Sequence, residues 1–358
     1  MTRHPPAITR LLALAMLGAS AGCATYPWLR HTRPLQPIPG DVAQYYQYTP
    51  IAVTATATPL GAEPSSRWQA QRVVLESQAL PHSIRMDWYA PRQPGRHPLV
   101  LIFPIMAGDD LGTRDFAQAF ASQGIHGIIV YRPKEKFSME KPLSQLEEHF
   151  HTSVLSVRHA IDWLQTQPSV DAARIGSLGV SMGATLNVIT ASVEPRITRY
   201  VFCLPASHVA HLIMTTKDHS IAKKRREYLR RYQLTQETAE TSLRELLRSE
   251  PLHVAGAIDP RRSLAIIAFG DRVIGWRNSM DIWRALGRPP TLWLPTGHYT
   301  SVFALPYVKL KVLWFFADWR GGHRAAPAAP SRDSVGTAAA RRPSDPEPSP
   351  PRAPDTQR

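Results

Sequence analysis

Between about Val73 and Trp319 the chain alternates short β-rich runs with helical ones, and this alternation restricts the fold more than any other feature. "RVVLESQA" and "SIRMDWYAP" read as an antiparallel pair. "HPLVLIFPIM" is a continuous apolar run of the kind buried on both faces of a sheet. It is followed by the helix "TRDFAQAFASQG", closed by Gly124, and the strand "IHGIIVYRP". A long amphipathic helix follows in "SQLEEHFHTSVLSVRHAIDWLQTQ", where Phe150, Val154, Val157, Ile161 and Leu164 recur at helical spacing. Then come "RIGSLGVS" with its helix, the strand "RYVFCLPA", a helical insertion over about 208–250, the strand "SLAIIAFGD", the helix "NSMDIWRALG" and the strand "PTLWLPTG". Such an order implies an α/β fold: a mostly parallel central sheet with helices on both faces and a small helical cap insertion. Ligands of sheets built this way bind at the carboxyl ends of the strands.

Three of those strand ends carry chemistry. In "RIGSLGVSMGATLNV" a serine stands between two glycines where a strand turns into a helix, an arrangement a plain loop does not need. A tight elbow holds such a hydroxyl exposed at a helix N-terminus, and the flanking glycines let neighbouring backbone pass close by. Asp271 ends the strand "SLAIIAFGD" and His298 follows the last strand in "PTGHYTS". A serine hydroxyl is a poor nucleophile at neutral pH, so Ser181 needs a base. His298 can take its proton, and Asp271 can hold the other imidazole nitrogen. Asp281 and Asp259 are the alternative acids, one inside a helix and the other ahead of the strand.

The order Ser181, Asp271, His298 resembles that of the α/β-hydrolase superfamily, over roughly Val73 to Trp319. Within it, "EPLHVAGAIDPRRSLAIIAFGDRVIG" followed by "LWLPTGHYTS" is similar to bacterial dienelactone-hydrolase-like and acetyl-esterase-like proteins. The acid loop departs from the commoner pattern, because Gly270 and Asp271 are adjacent where two residues usually intervene. The resemblance implies a serine hydrolase cleaving carboxylic esters through an acyl-enzyme, with a small-molecule ester as substrate. It also implies an oxyanion hole. One donor is expected from the Met182 N–H; the second comes from the loop after "LVLIF", where many members carry His-Gly and this chain has Pro104-Ile105-Met106. Proline has no N–H, so the donor is Met106 or Ile105. Asp109 and Asp110 follow as solvated loop carboxylates or shapers of the entrance.

Leu212, Ile213 and Met214 in the insertion could line an acyl pocket or pack on the domain below. A peptidase or thioesterase on the same triad is the enzymatic alternative. A non-catalytic envelope lipoprotein that keeps the fold is the alternative of another class. No metal-ligand spacing such as H-E-x-x-H and no Gly-rich phosphate loop is present, and serine hydrolysis calls for neither metal nor cofactor.

The termini are organised differently. A basic start, the apolar run "LLALAMLGASAG" and small residues before Cys23 read as an export signal over residues 1–22, too short to span a bilayer. Ser20-Ala21-Gly22-Cys23 resembles a bacterial lipobox, with Ser20 in the usual leucine position. The resemblance implies lipidation of Cys23 and, with no aspartate following, an outer-membrane address; a periplasmic or secreted protein is the alternative. Cys203 would then be the one remaining thiol, unable to form an internal disulfide and expected to be buried in "YVFCLP". Residues 23–50 are proline-punctuated and read as an extended tether; residues 51–320 form the hydrolase domain, and the Pro-, Ala-, Ser- and Arg-rich residues 321–358 lack the apolar side chains to fold. The net charge of +14 is densest in "KDHSIAKKRREYLRRY". Without zinc-finger spacing or interleaved aromatic residues it is read as a solvated helix face, able to lean on an anionic membrane, and not as a nucleic-acid site. Cys23→Ser is expected to move the protein from the membrane to the soluble fraction; mass spectrometry of the wild-type N-terminal peptide without lipid would overturn the anchor.

Overall fold

The central strands of this protein are buried on both sides because their apolar side chains alternate between two separate cores. In a computed structural model, which describes residues 34–61, 65–108, 111–133 and 143–320, these strands form a nine-stranded sheet. The export signal, Cys23, Asp109, Asp110 and the tail from 321 onward lie outside the described residues.

A short helix α1 (Gly40–Tyr45) leads to β1 (Thr54–Pro59), β2 (Trp68–Glu76), β3 (Ile84–Pro91) and β4 (His97–Phe103). Helix α2 (Leu111–Ser122), β5 (His126–Val130), α3 (Ser144–Gln165), β6 (Val170–Val180), α4 (Met182–Val193) and β7 (Ile197–Cys203) follow. The insertion holds α5 (Val209–Thr215), α6 (His219–Arg231) and α7 (Gln236–Leu246), with one further turn, α8 (Pro251–Val254). Strand β8 (Ser263–Ala268), α9 (Trp276–Ala285), β9 (Thr291–Leu294) and α10 (Leu305–Phe315) complete the order.

The sheet runs β1-β2-β3-β5-β4-β6-β7-β8-β9. The first three strands and the β3–β5 junction are antiparallel; every pair from β5 to β9 is parallel. In β4, Leu99, Leu101 and Phe103 face the core beneath α3, whereas Val100 and Ile102 face the core containing Phe116, Phe120, Val312 and Phe316. All five expected apolar positions of α3 are buried. The register levels the parallel strands at one edge: Phe103 pairs with Gly179, Val180 with Cys203, and Ala268 with Leu294. The loops after β4, β6, β8 and β9 therefore meet on the same side.

Two elements differ from the sequence expectation. The six residues of β1, TATATP, are all exposed, so they carry no apolar alternation to read, and they are held by backbone pairing with β2. Residues 34–50 do not form a free tether. Gly40–Tyr45 is helical, Tyr46 is 1% exposed, and its hydroxyl is hydrogen-bonded to Ser249. Buried Glu147 accepts from the Ser249 hydroxyl and N–H at 2.5 and 3.0 Å, so the tyrosine closes a satisfied polar network instead of stranding a hydroxyl in the core. Prolines flanking the helix disguise it, and its buried anchors, Val42 and Tyr46, make no periodic pattern long enough to read. Tyr46→Ala should lower the unfolding free energy by about 3–5 kcal/mol in denaturant titration; an unchanged midpoint would return this segment to the role of tether.

Candidate active site

The elbow after β6 is made by close approach of backbones. A Cβ added to Gly183 would stand 2.1 Å from the Phe103 carbonyl oxygen and 2.6 Å from that of Pro104; one on Gly179 would stand 2.4 Å from the Gly183 carbonyl oxygen. Only glycine fits at either point. Ser181 between them has φ 54° and ψ −120°, a conformation costly for an L-residue with a side chain. Its N–H donates to the Cys203 carbonyl at 2.8 Å, which continues the β6–β7 ladder and fixes the bend.

From that bend the Ser181 Oγ reaches His298 Nε2 at 3.0 Å, and His298 Nδ1 lies 2.7 Å from Asp271 Oδ2. The carboxylate only accepts, so Nδ1 carries the imidazole proton and Nε2 is free to accept from the serine hydroxyl. The other Asp271 oxygen accepts from the N–H groups of Val273 and Ile274, both at 2.9 Å, and the side chain is 1% exposed. A buried carboxylate with these donors is held in one orientation.

The compact acid loop is compatible with this line because β8 and β9 continue to pair past their ends. Phe269 N donates to Leu294 O and Gly270 N to Thr296 O, both at 2.9 Å. Thr300 Oγ1 accepts from Gly297 N at 2.7 Å, and Ser301 Oγ donates to Gly297 O at 2.8 Å, curling the histidine loop over the aspartate. The alternative acids lie elsewhere. Asp281 is exposed beside His208 and Arg284, and Asp259 caps a helical turn and pairs with Arg261.

Met182 opens α4 directly after the serine, so its N–H stands at a helix N-terminus with no acceptor within the helix. Pro104, Ile105 and Met106 follow β4 beside Gly183, and the Met106 side chain is half exposed. The apolar stripe of the insertion packs on the domain: Met214 is buried in the core beneath α3 with partly buried Ile213 against it, and partly buried Leu212 packs on the other core. The insertion touches the site through polar groups. Thr216 Oγ1 donates to Val273 O at 2.9 Å, and the Tyr299 hydroxyl donates to Asp218, the residue capping α6. That hydrogen bond, with burial adding to it, pushes the Tyr299 phenol up to about 12.

Sequence reasoning missed Tyr299 and Asp218, and also Arg132, whose guanidinium donates to the Pro104, Ile105 and Met106 carbonyls; their only signal is position, each at a loop or strand end whose neighbour is unknown until the sheet is assembled. Among the described residues no group of three or more His, Cys, Asp or Glu could hold a metal, and no helix is long and apolar enough to cross a membrane.

The chain has the α/β-hydrolase fold. It is similar to an acetyl xylan esterase from Paenibacillus sp. R4 (16% identity, 82% of this chain and 99% of that chain, TM-score 0.63). It is also similar to acetyl xylan esterase 1 from Thermoanaerobacterium sp. JW/SL YS485 (15%, 80% and 98%, TM-score 0.59). A third likeness is to Est1E from Butyrivibrio proteoclasticus (12%, 69% and 98%, TM-score 0.51). A family model described as BAAT / Acyl-CoA thioester hydrolase C terminal matches residues 157–251. No curated protein sequence matches the chain.

Cys203 is buried under this site, its carbonyl accepting from the Ser181 N–H. Burial, with the Asp271 charge adding to it, pushes the thiol up to about 12. A thiol raised in this way does not present the reactive thiolate near neutral pH. Iodoacetamide should leave Cys203 unmodified in the native protein and label it after unfolding, as read by peptide mass spectrometry; stoichiometric native labelling would contradict the burial.

Proposed function

We propose that this chain is a serine hydrolase that cleaves small carboxylic esters through an acyl-enzyme, with Ser181 as nucleophile, His298 as base and Asp271 as the acid that orients it. One observation carries the reading: the unbroken hydrogen-bonded line from Ser181 Oγ through His298 to a buried Asp271. The strained serine backbone and the shared fold with proteins named as esterases support it.

In this mechanism Oγ attacks the ester carbonyl carbon while Nε2 takes the hydroxyl proton. The Asp271 carboxylate stabilises the imidazolium that forms. The tetrahedral oxyanion is met by the Met182 N–H and by that of Met106 or Ile105. His298 returns the proton to the departing alkoxide, the acyl group stays on Ser181, and a water activated by the same imidazole releases the acid. Exposed Met106, in the loop after β4, and exposed Tyr299, next to His298, offer apolar surface for an acyl or alcohol group.

A thioesterase is the second reading, favoured by the family match to an acyl-CoA thioester hydrolase segment that spans the elbow. The chemistry is shared and only the leaving group changes. The lipid anchor on Cys23 and the bacterial cell-envelope address belong to this proposal on sequence grounds alone.

Ser181→Ala and His298→Ala should each lower kcat on a short-chain aryl ester by about 10,000-fold or more, without adding in the double variant. Asp271→Asn should cost somewhat less, and fluorophosphonate labelling should disappear with Ser181. Matched oxygen and thiol esters separate the two readings by kcat/KM. Wild-type turnover in a folded Ser181→Ala protein would overturn the assignment.

A further inference from the structure

Arg132 lies two residues beyond β5, and β5 and β6 flank β4 on opposite sides. The loop Pro104–Met106 that leaves β4 thus runs between the Ser181 elbow and this arginine. The guanidinium grips three successive carbonyls of the loop: Nη1 donates to Pro104 at 2.7 Å, and Nη2 donates to Ile105 at 2.7 Å and to Met106 at 3.1 Å. Burial lowers its pKa to about 10, so the group stays protonated at neutral pH.

We propose that Arg132 is a positioning residue for the oxyanion hole: by holding the Ile105 carbonyl on the β5 side, it turns the Met106 N–H toward the β6 side, where Ser181 stands. The inference rests on the reading of Ser181 as nucleophile.

The argument follows from peptide geometry. In a trans peptide the C=O and the following N–H point in opposite directions. The Ile105 carbonyl, which also accepts from the Gly108 N–H at 2.9 Å, and the Met106 N–H belong to one peptide, so fixing the first fixes the second. Among the described residues the Met106 N–H has no hydrogen-bond acceptor of its own, which leaves it available to a ligand. The start of the loop is confined further by Gly183, against which the Phe103 carbonyl and the Arg132-bound Pro104 carbonyl close. The same guanidinium polarises the peptides it binds, strengthening their N–H groups as donors. A lysine cannot reproduce the arrangement, because a single ammonium lacks the planar fork that spans several carbonyls. A donor that must meet charge developing only in the transition state needs such fixed support, since a loop free to turn would lose the preorganisation that makes the hole effective.

The test compares wild type, Arg132→Lys and Arg132→Met, each checked for folding by circular dichroism. Their kcat and KM on a short-chain aryl ester are set beside the inhibition constant of a short-chain alkyl trifluoromethyl ketone. That ketone adds the serine hydroxyl and presents an oxyanion, so it reports on the hole itself. In both variants kcat should fall about 10- to 100-fold with KM changed less than about threefold. Affinity for the ketone should fall in proportion to kcat/KM, while Ser181 still accepts a fluorophosphonate. A merely structural role would not link the ketone to kcat in this way. The clamp is overturned by wild-type kcat and ketone affinity in a folded Arg132→Met protein, by a loss confined to KM, or by a fall in kcat with ketone affinity unchanged. If Arg132→Met does not fold, Arg132→Lys is judged by the same three results. A wild-type protein that neither labels at Ser181 nor turns over the ester overturns the hydrolase reading and the clamp together.

Discussion

The contact between Gly183 and the end of β4 governs the geometry of this protein. With no side chain at residue 183, the turn after Ser181 packs directly on the Phe103 and Pro104 carbonyls, where any Cβ would collide at 2.1 Å and 2.6 Å. That approach sets the height of the serine above the sheet and the start of α4. It also sets the wall against which the Pro104–Met106 loop rests. Backbone strain at Ser181 is sustained because the elbow is tied on both flanks, by Cys203 in β7 and by β4. Replacing a glycine here would do more than remove conformational freedom, since it would drive apart two strands whose ends carry the chemistry.

Beneath the site, a charged network ties the helices on that face to each other and to the N-terminal segment. Glu194, just after α4 and with a fully buried side chain, pairs with Arg196 at 2.6 Å and Arg158 at 3.2 Å. Arg196 also binds Asp162 at 2.5 Å and the Tyr48 hydroxyl at 2.7 Å, and Arg158 donates to the Tyr46 carbonyl at 2.6 Å. Buried ions gain little stability over an apolar core of the same shape, yet each is costly to strand. Such a network therefore specifies one arrangement of α3, α4 and residues 46–48. The same logic applies to Arg132, whose charge is satisfied by carbonyls of the loop it holds.

Much of the architecture was legible because burial on two faces leaves a continuous apolar run, as in "LVLIF", and burial on one helix face leaves a 3.6-residue repeat, as in α3. The elbow was legible for a local reason: a serine between two close-packed glycines is a backbone requirement written in neighbouring residues. Strand β1 left no trace, since its six exposed residues contribute only hydrogen bonds from backbone that every sequence possesses. The segment around Tyr46 was misread as a tether because its partners, Ser249 and Glu147, lie far along the chain and belong to no shared pattern.

The sequence by itself determined the alternation of strands and helices, the strained position of Ser181 and the order in which serine, aspartate and histidine occur. These follow from side-chain size and local backbone preference, which act over a few residues. Only the tertiary structure decided that Asp271, and neither Asp281 nor Asp259, faces His298, because that choice depends on β8 and β9 staying paired through Gly270 and Thr296. It alone brought Arg132 to the Pro104–Met106 loop and Tyr299 to Asp218. Partners separated by 26 to 81 residues in the chain meet through sheet order and register, and those are fixed by the packing of the whole core.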